Sequence, residues 1–401
     1  MTGRRLRLLA PLPYFAAFVA APFAVLAGKL AERPGVFAAY GLRGLAPWLT
    51  LSAVALVVCL FQAASARADR DQPRWPLAAV GIVLALSGWL LARLLVPLLA
   101  EAEHLAPLMS ELRLPALAVF AGLWAWSFGA PERGTLANAG AALGALVVLD
   151  FLLTAIMARS LVLGGGYLFG EAAGTADILA FLLCLGLAAT LEDGPVPGQP
   201  RLARWLILAG LLAGFSRPGL AAAALMLVFL ERGPFRLRLA MALACALAAW
   251  MSLMLPLPHL GGGDELGLAW HQAATFEALS QEPWGFFTGL PLDQPVALAM
   301  PEFQGLLWDD ESQGLPVYAF DIPSSALRLL AGWGAGGPLA VLAAAGFCAL
   351  RGRGRFGLGL VTALIFGAAF SPVLHVPATA AALALALVSA ASRQPQGPDR
   401  P

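Results

Sequence analysis

Apolar residues in this chain come in long runs joined by short polar links. A helix needs about 20 apolar residues to cross a bilayer. On that measure the runs predict helices near 9–30, 46–65, 76–98, 114–129, 136–158, 176–191, 204–216, 218–231, 237–256, 331–350, 356–372 and 374–391, twelve in all. Several are short or broken by Pro and Gly. The pair 204–216 and 218–231 is too short to cross the hydrocarbon layer untilted. Residues 257–329 are not continuously apolar, but patches around 277–287 and "SALRLL" predict small helices lying on the membrane face. The expected fold is therefore an all-α polytopic membrane protein of about 12 transmembrane helices with one long loop. Spans one to nine fall in 1–256, the loop in 257–329, and spans ten to twelve with a tail in 330–401.

Composition agrees. Mean hydropathy is +0.78, 60% of residues are hydrophobic and 12% are charged, against roughly a quarter charged in soluble domains. Net charge is +1, and no basic tract points to nucleic acid. The four cysteines, Cys59, Cys184, Cys245 and Cys348, lie in apolar runs without ligand spacing and read as small apolar residues. The basic start and apolar middle of the N-terminus fit a signal peptide. The apolar part runs on to Lys29, so an uncleaved first helix is the better reading. No internal repeat is visible, which weighs against a repeat-built transporter.

Basic residues set the expected orientation. With a cytoplasmic N-terminus, the inner joints carry Arg4, Arg5, Arg7, Arg67, Arg70, Arg74, Arg133, Arg201, Arg204, Arg232, Arg236, Arg238, Arg351, Arg353, Arg355 and Arg393. Both termini are then cytoplasmic, and in the inner membrane of a bacterium the long loop is periplasmic. That loop holds ten acidic residues, a single basic one, Arg328, and many aromatics, among them Trp270, Trp284, Trp308 and Tyr318.

Charge inside a membrane costs roughly 2.5–3.5 kcal/mol per residue and faces a wet cavity when it is kept. Arg217, Asp150, Arg159, Glu171 and Asp177 are such residues. Arg217 stands in "LLAGFSRPGLAAAA", between the two half-length runs, with Pro218 starting the second. The turn is expected below the outer surface, with the guanidinium on the floor of an outward cavity. The alternative is an arginine that snorkels to the interface. Asp150 is expected to pair with Arg159 or Arg217 rather than relay protons.

Three segments resemble the O-antigen ligase/polymerase superfamily of bacterial polysaccharide enzymes, over roughly residues 140–350. "GFSRPGLAAAALMLVFL" is similar to the family's serine-arginine-glycine segment, with a proline intervening. "SSALRLLAGWGAGGPLAVL" is similar to the loop end, where a small helix runs into an aromatic-Gly turn and the next span. "RSLVLGGGYLFGEAAGTADILAFLL" is similar to the outer loop before span six, with Arg159 and Gly170 at the Arg-x10-Gly spacing of some polymerases.

The resemblance implies metal-independent, cofactor-free glycosyl transfer at the periplasmic face, from a glycan on a polyprenyl pyrophosphate. Membrane lipid and a chain-length regulator are further candidate partners. Ligases carry a histidine at the start of the small helix and an arginine earlier in the loop. Here "FDIPSSALRLL" has no histidine and nothing basic precedes Arg328, which favours a polymerase of repeat units over a ligase.

Breaking a sugar–pyrophosphate bond builds negative charge that fixed cations stabilise, and arginine forks suit phosphate oxygens. Arg217, Arg328 and Arg159 are the candidate pyrophosphate contacts, Arg217 also being catalytic. Asp321, seven residues before Arg328, is the candidate catalytic base, with His259, His271 and Glu282 as rivals. Each loop carboxylate also reads as a solvated surface charge. A glycosyltransferase of the other multi-span type is expected to carry an acidic pair in its first outer loop, where this chain has Glu32 alone. A ligase of the same fold and a transporter or flippase are the competing readings.

Overall fold

The computed structural model describes residues 7–31, 38–64, 111–158, 168, 175–191, 200–232, 234–254, 272, 275–282, 284–290, 322–352 and 354–392. Among these residues the secondary structure is helical, without strand. In chain order the elements are α1, Arg7–Leu30, containing a π-turn at Ala16–Ala20; α2, Ala46–Ala64; α3, Arg113–Phe128; α4, Arg133–Ala158; α5, Thr175–Thr190; and α6, Pro200–Gly214. There follow α7, Arg217–Leu225, running into a π-turn at Met226–Leu230; α8, Phe235–Met254; α9, Gly285–Thr288; α10, Ser325–Trp333; α11, Gly336–Gly352; α12, Arg355–Phe370; and α13, Pro377–Ala391.

Eleven of the twelve runs fall on described residues, and each contains a helix. The run 76–98 lies outside them. Two helices, Arg7–Leu30 and Arg133–Met157, are long and apolar enough to cross a membrane. The tenth run begins later than expected: Trp333 ends α10, the chain breaks at Gly334 with φ +63°, and α11 starts at Gly336. A Cβ at residue 334 would meet the Phe287 carbonyl oxygen at 2.3 Å, so this turn requires glycine.

The packing is built on small residues. α4 and α6 make one of the broadest contacts, and α5 lies against both. Gly140 and Gly144 share one face of α4, four residues apart. A Cβ at Gly144 would stand 2.3 Å from the Leu206 carbonyl oxygen, so the two backbones touch. α12 is the hub, packing on α5, α7, α10, α11 and α13. A smaller apolar cluster, Ala278, Leu279, Leu290, Ile322, Leu327 and Ala331, joins part of the loop to α10. The amide of Leu290 donates to Ala331 O at 2.6 Å, and that of Ala335 to Phe286 O at 2.7 Å.

Polar side chains gather in two layers at opposite ends of this bundle. At one end Arg204 on α6 holds Glu231 at 2.8 Å and donates to Thr190 O at 2.7 Å. Arg238 donates to Glu231 O at 2.7 Å, and Arg355 to Leu230 O at 2.9 Å. At the other end lie Asp177, Ser216, Arg217, Glu111, Arg328 and His375. Along α5 the layers are Asp177 and Thr190, ~20 Å apart at 1.5 Å per residue; along α12 they are Arg355 and Ser371, ~24 Å apart. Between them large apolar side chains are exposed, including Leu243, Leu247, Leu342 and Ile365.

Candidate functional site

The turn between α6 and α7 is two residues long. Phe215 takes φ +49°, a left-handed conformation that costs a non-glycine residue about 1–2 kcal/mol. This reverses the chain at once and leaves Ser216 extended as the N-cap of α7. Its hydroxyl accepts from Gly219 N at 3.3 Å and donates to Asp177 Oδ1 at 2.7 Å, fastening the turn to the start of α5. Pro218 follows in the first turn, where a missing N–H costs nothing.

Arg217 is the first residue of α7 and is half-buried. A cation at a helix N-terminus faces the positive end of the dipole, an unfavourable place unless an anion offsets it. The Asp177 carboxylate acts on it there. A small cavity of about 10 Å³ adjoins the turn, lined by residues that include Asp177, Pro218 and Gly367. Arg217 thus sits near the C-terminal end of α12.

A second knot lies at the same end of α12. Glu111, just before α3, is buried at 2% exposure and accepts from two side chains of α10. Arg328 Nε on α10 reaches Oε1 at 2.5 Å, and Trp333 Nε1 donates to Oε2 at 3.2 Å. His375, in the turn before α13, brings Nε2 to 3.4 Å from Oε2 and Nδ1 to 3.4 Å from Ser325 Oγ. The start of α10 is pinned in the same turn. Ser325 Oγ accepts from Leu374 N at 3.0 Å, Ser325 N donates to Ser371 O at 3.0 Å, and Ser324 Oγ donates to Ala368 O at 3.0 Å.

The charge states follow from this geometry. Burial raises the Glu111 carboxyl, but the contact and charge of His375 and the charge and hydrogen bond of Arg328 outweigh it and hold the group down at about 2. Burial lowers His375 below 6.5; its contact with Glu111 opposes this, while the charges of Arg328 and Arg113 add to it. Arg328, a permanent cation, acts with His375 in keeping Glu111 ionised.

Among the sequence candidates, Arg217 and Arg328 lie at the same end of the bundle, on helices that both pack against α12. Arg328 is 5% exposed and its Nε is committed to Glu111. Arg159, Asp321, His259 and His271 lie outside the described residues. Glu282 is described and exposed. Asp150 is buried, and Oδ2 accepts the Leu168 amide at 3.1 Å; Arg159, one of its two expected partners, lies outside the described residues.

Glu111 and His375 were not legible as a pair, because 264 residues separate them in the chain. The signal was present singly: a histidine inside the predicted run 374–391 and a carboxylate against the start of another. Searches against family models, curated proteins and solved structures find no match to this chain.

Proposed function

We propose that this chain is a polytopic bacterial inner-membrane enzyme that polymerises polyprenyl-pyrophosphate-linked oligosaccharide repeat units at the periplasmic face. The observation that carries the reading is Arg217: a permanent cation at the head of a short helix, in a two-residue turn, at one polar end of an apolar helical bundle.

Several features support the membrane setting. The two polar layers are ~20–24 Å apart by helical rise, slightly less than a hydrocarbon core of about 30 Å. With the Arg204 layer at the inner interface, the Arg217 layer lies just below the outer one. α6, and α7 taken with its π-turn, each ~20 Å long by the same rise, explain that depth. Exposed Trp126, Trp205 and Phe229 lie towards the Arg204 end, and Tyr40, Trp250 and Phe370 towards the other, as interfacial aromatics do. Arg204, Arg238 and Arg355 meet at one end, in keeping with a cytoplasmic assignment of their joints.

In the proposed step an acceptor sugar hydroxyl attacks the anomeric carbon of the donor. The bond from that carbon to the pyrophosphate oxygen breaks, the pyrophosphate leaves on its polyprenyl chain, and a base takes the hydroxyl proton. Arg217 stabilises the charge that grows on the leaving group; Asp321 is the candidate base. A strain lacking the gene is complemented with wild type, Arg217→Ala or Arg217→Lys. Loss of long polymer with accumulation of single lipid-linked units supports the polymerase. Long polymer trapped on its carrier assigns the ligase reaction instead. Normal chain length with Arg217→Ala refutes both.

A further inference from the structure

Arg113 opens α3 two residues after Glu111. Its Nε is buried without a hydrogen-bond partner, and neither a hydrogen bond nor an ion pair holds the guanidinium among the described residues. Its surroundings make this costly. It stands at the positive end of a helix dipole, and its charge reaches the His375 ring, on which Arg328 also acts. The nearby carboxylate, Glu111, receives Arg328, Trp333 and His375 instead. At the opposite end of the bundle the arginines are placed otherwise: Arg204 holds a carboxylate, and Arg238 and Arg355 cap carbonyls. A half-buried cation whose Nε is buried without an acceptor, against a dipole and near Arg328, gains from an anion supplied from outside the chain.

We propose that Arg113 contacts the phosphate of a membrane lipid at this end of the bundle, the donor pyrophosphate in the reading above. The inference rests on that reading for the lipid's identity, and on the unpaired guanidinium for the phosphate. The guanidinium fork suits phosphate oxygens and is part-exposed to receive them. Arg328, held by Glu111, positions α10 beneath it.

The test uses the full-length protein in phosphatidylcholine nanodiscs. Farnesyl pyrophosphate and inorganic pyrophosphate are titrated against tryptophan fluorescence, and thermal stability is recorded with and without phosphatidylglycerol in the disc. Arg113→Gln is expected to weaken farnesyl pyrophosphate binding about tenfold to a hundredfold, with Tm unchanged or raised, because an unpaired cation has been removed. Arg113→Lys retains part of the affinity. If the substitution abolishes only a phosphatidylglycerol-dependent rise in Tm, the phosphate contact stands and its source is a bilayer lipid. Equal behaviour of wild type and Arg113→Gln towards all three probes overturns the proposal, as does a wild type that responds to none or a variant that simply melts early. Lost binding with normal polymer in cells keeps the phosphate contact and sinks the polymerase reading.

Discussion

Replacing Glu111 with glutamine tests whether the buried knot at α10 holds the loop to the bundle. The substitution keeps volume and one carbonyl acceptor. It removes the charge that balances Arg328, which is 5% exposed, and it turns an amide donor towards Trp333 Nε1, Arg328 Nε or the His375 ring. Breaking a buried pair from one side leaves an uncompensated charge and costs about 3–5 kcal/mol. Replacing both partners with apolar residues removes the desolvation problem, so Glu111→Leu with Arg328→Met is expected within about 1–2 kcal/mol of wild type. The two changes are then strongly non-additive, as contacting residues should be. Denaturant unfolding in detergent, followed by tryptophan fluorescence, measures Glu111→Gln and the cycle of wild type, Glu111→Leu, Arg328→Met and the double variant. Hydrogen exchange adds location: in Glu111→Gln, protection of residues 325–333 should fall more than that of residues 175–190. A glutamine variant within 1 kcal/mol of wild type, or two substitutions whose effects simply add, would refute the reasoning.

Four further outcomes are expected. His375 carries a lowered pKa in the folded protein, so the unfolded state binds its proton first as pH falls; stability should be full above 6.5 and decline below it, and His375→Gln should flatten that decline in melts between pH 5 and 7. Glu111 acts in the same direction in a lower window, its contribution fading as pH falls from the ordinary carboxylate range towards about 2. Gly144→Ala places a methyl 2.3 Å from the Leu206 carbonyl, so α4 and α6 must separate; a loss of about 1–3 kcal/mol by denaturant unfolding is expected, and an unchanged midpoint would refute the close approach. Ser216→Ala removes both the cap of α7 and the Asp177 bond, for about 1–2 kcal/mol, and complementation with it should shorten polymer through a misplaced Arg217.

The helical segments were legible along the chain. Apolar length and Pro/Gly punctuation are local properties, and they located eleven helices that the described residues contain, along with the break between the half-length pair at Phe215 and Ser216. The small helix at "SALRLL" was legible too, but its N-cap Ser324 and its stop at Gly334, inside the predicted run 331–350, were not. Arg217 stood out because its cost is visible against its apolar neighbours.

Pairing was decided only by the tertiary structure. Glu111 reaches Arg328 across 217 residues and Trp333 across 222, distances over which no local pattern carries information. Arg328 read as a cation for a ligand because the sequence shows a charge without showing its neighbour; the fold gives it a carboxylate. Arg113 drew no reading from the sequence, and the fold leaves its Nε without a hydrogen-bond partner among the described residues. Whether a charged side chain serves stability or substrate depends on what lies within a few ångströms of it, and the packing of α12 against α5, α7 and α10 sets that.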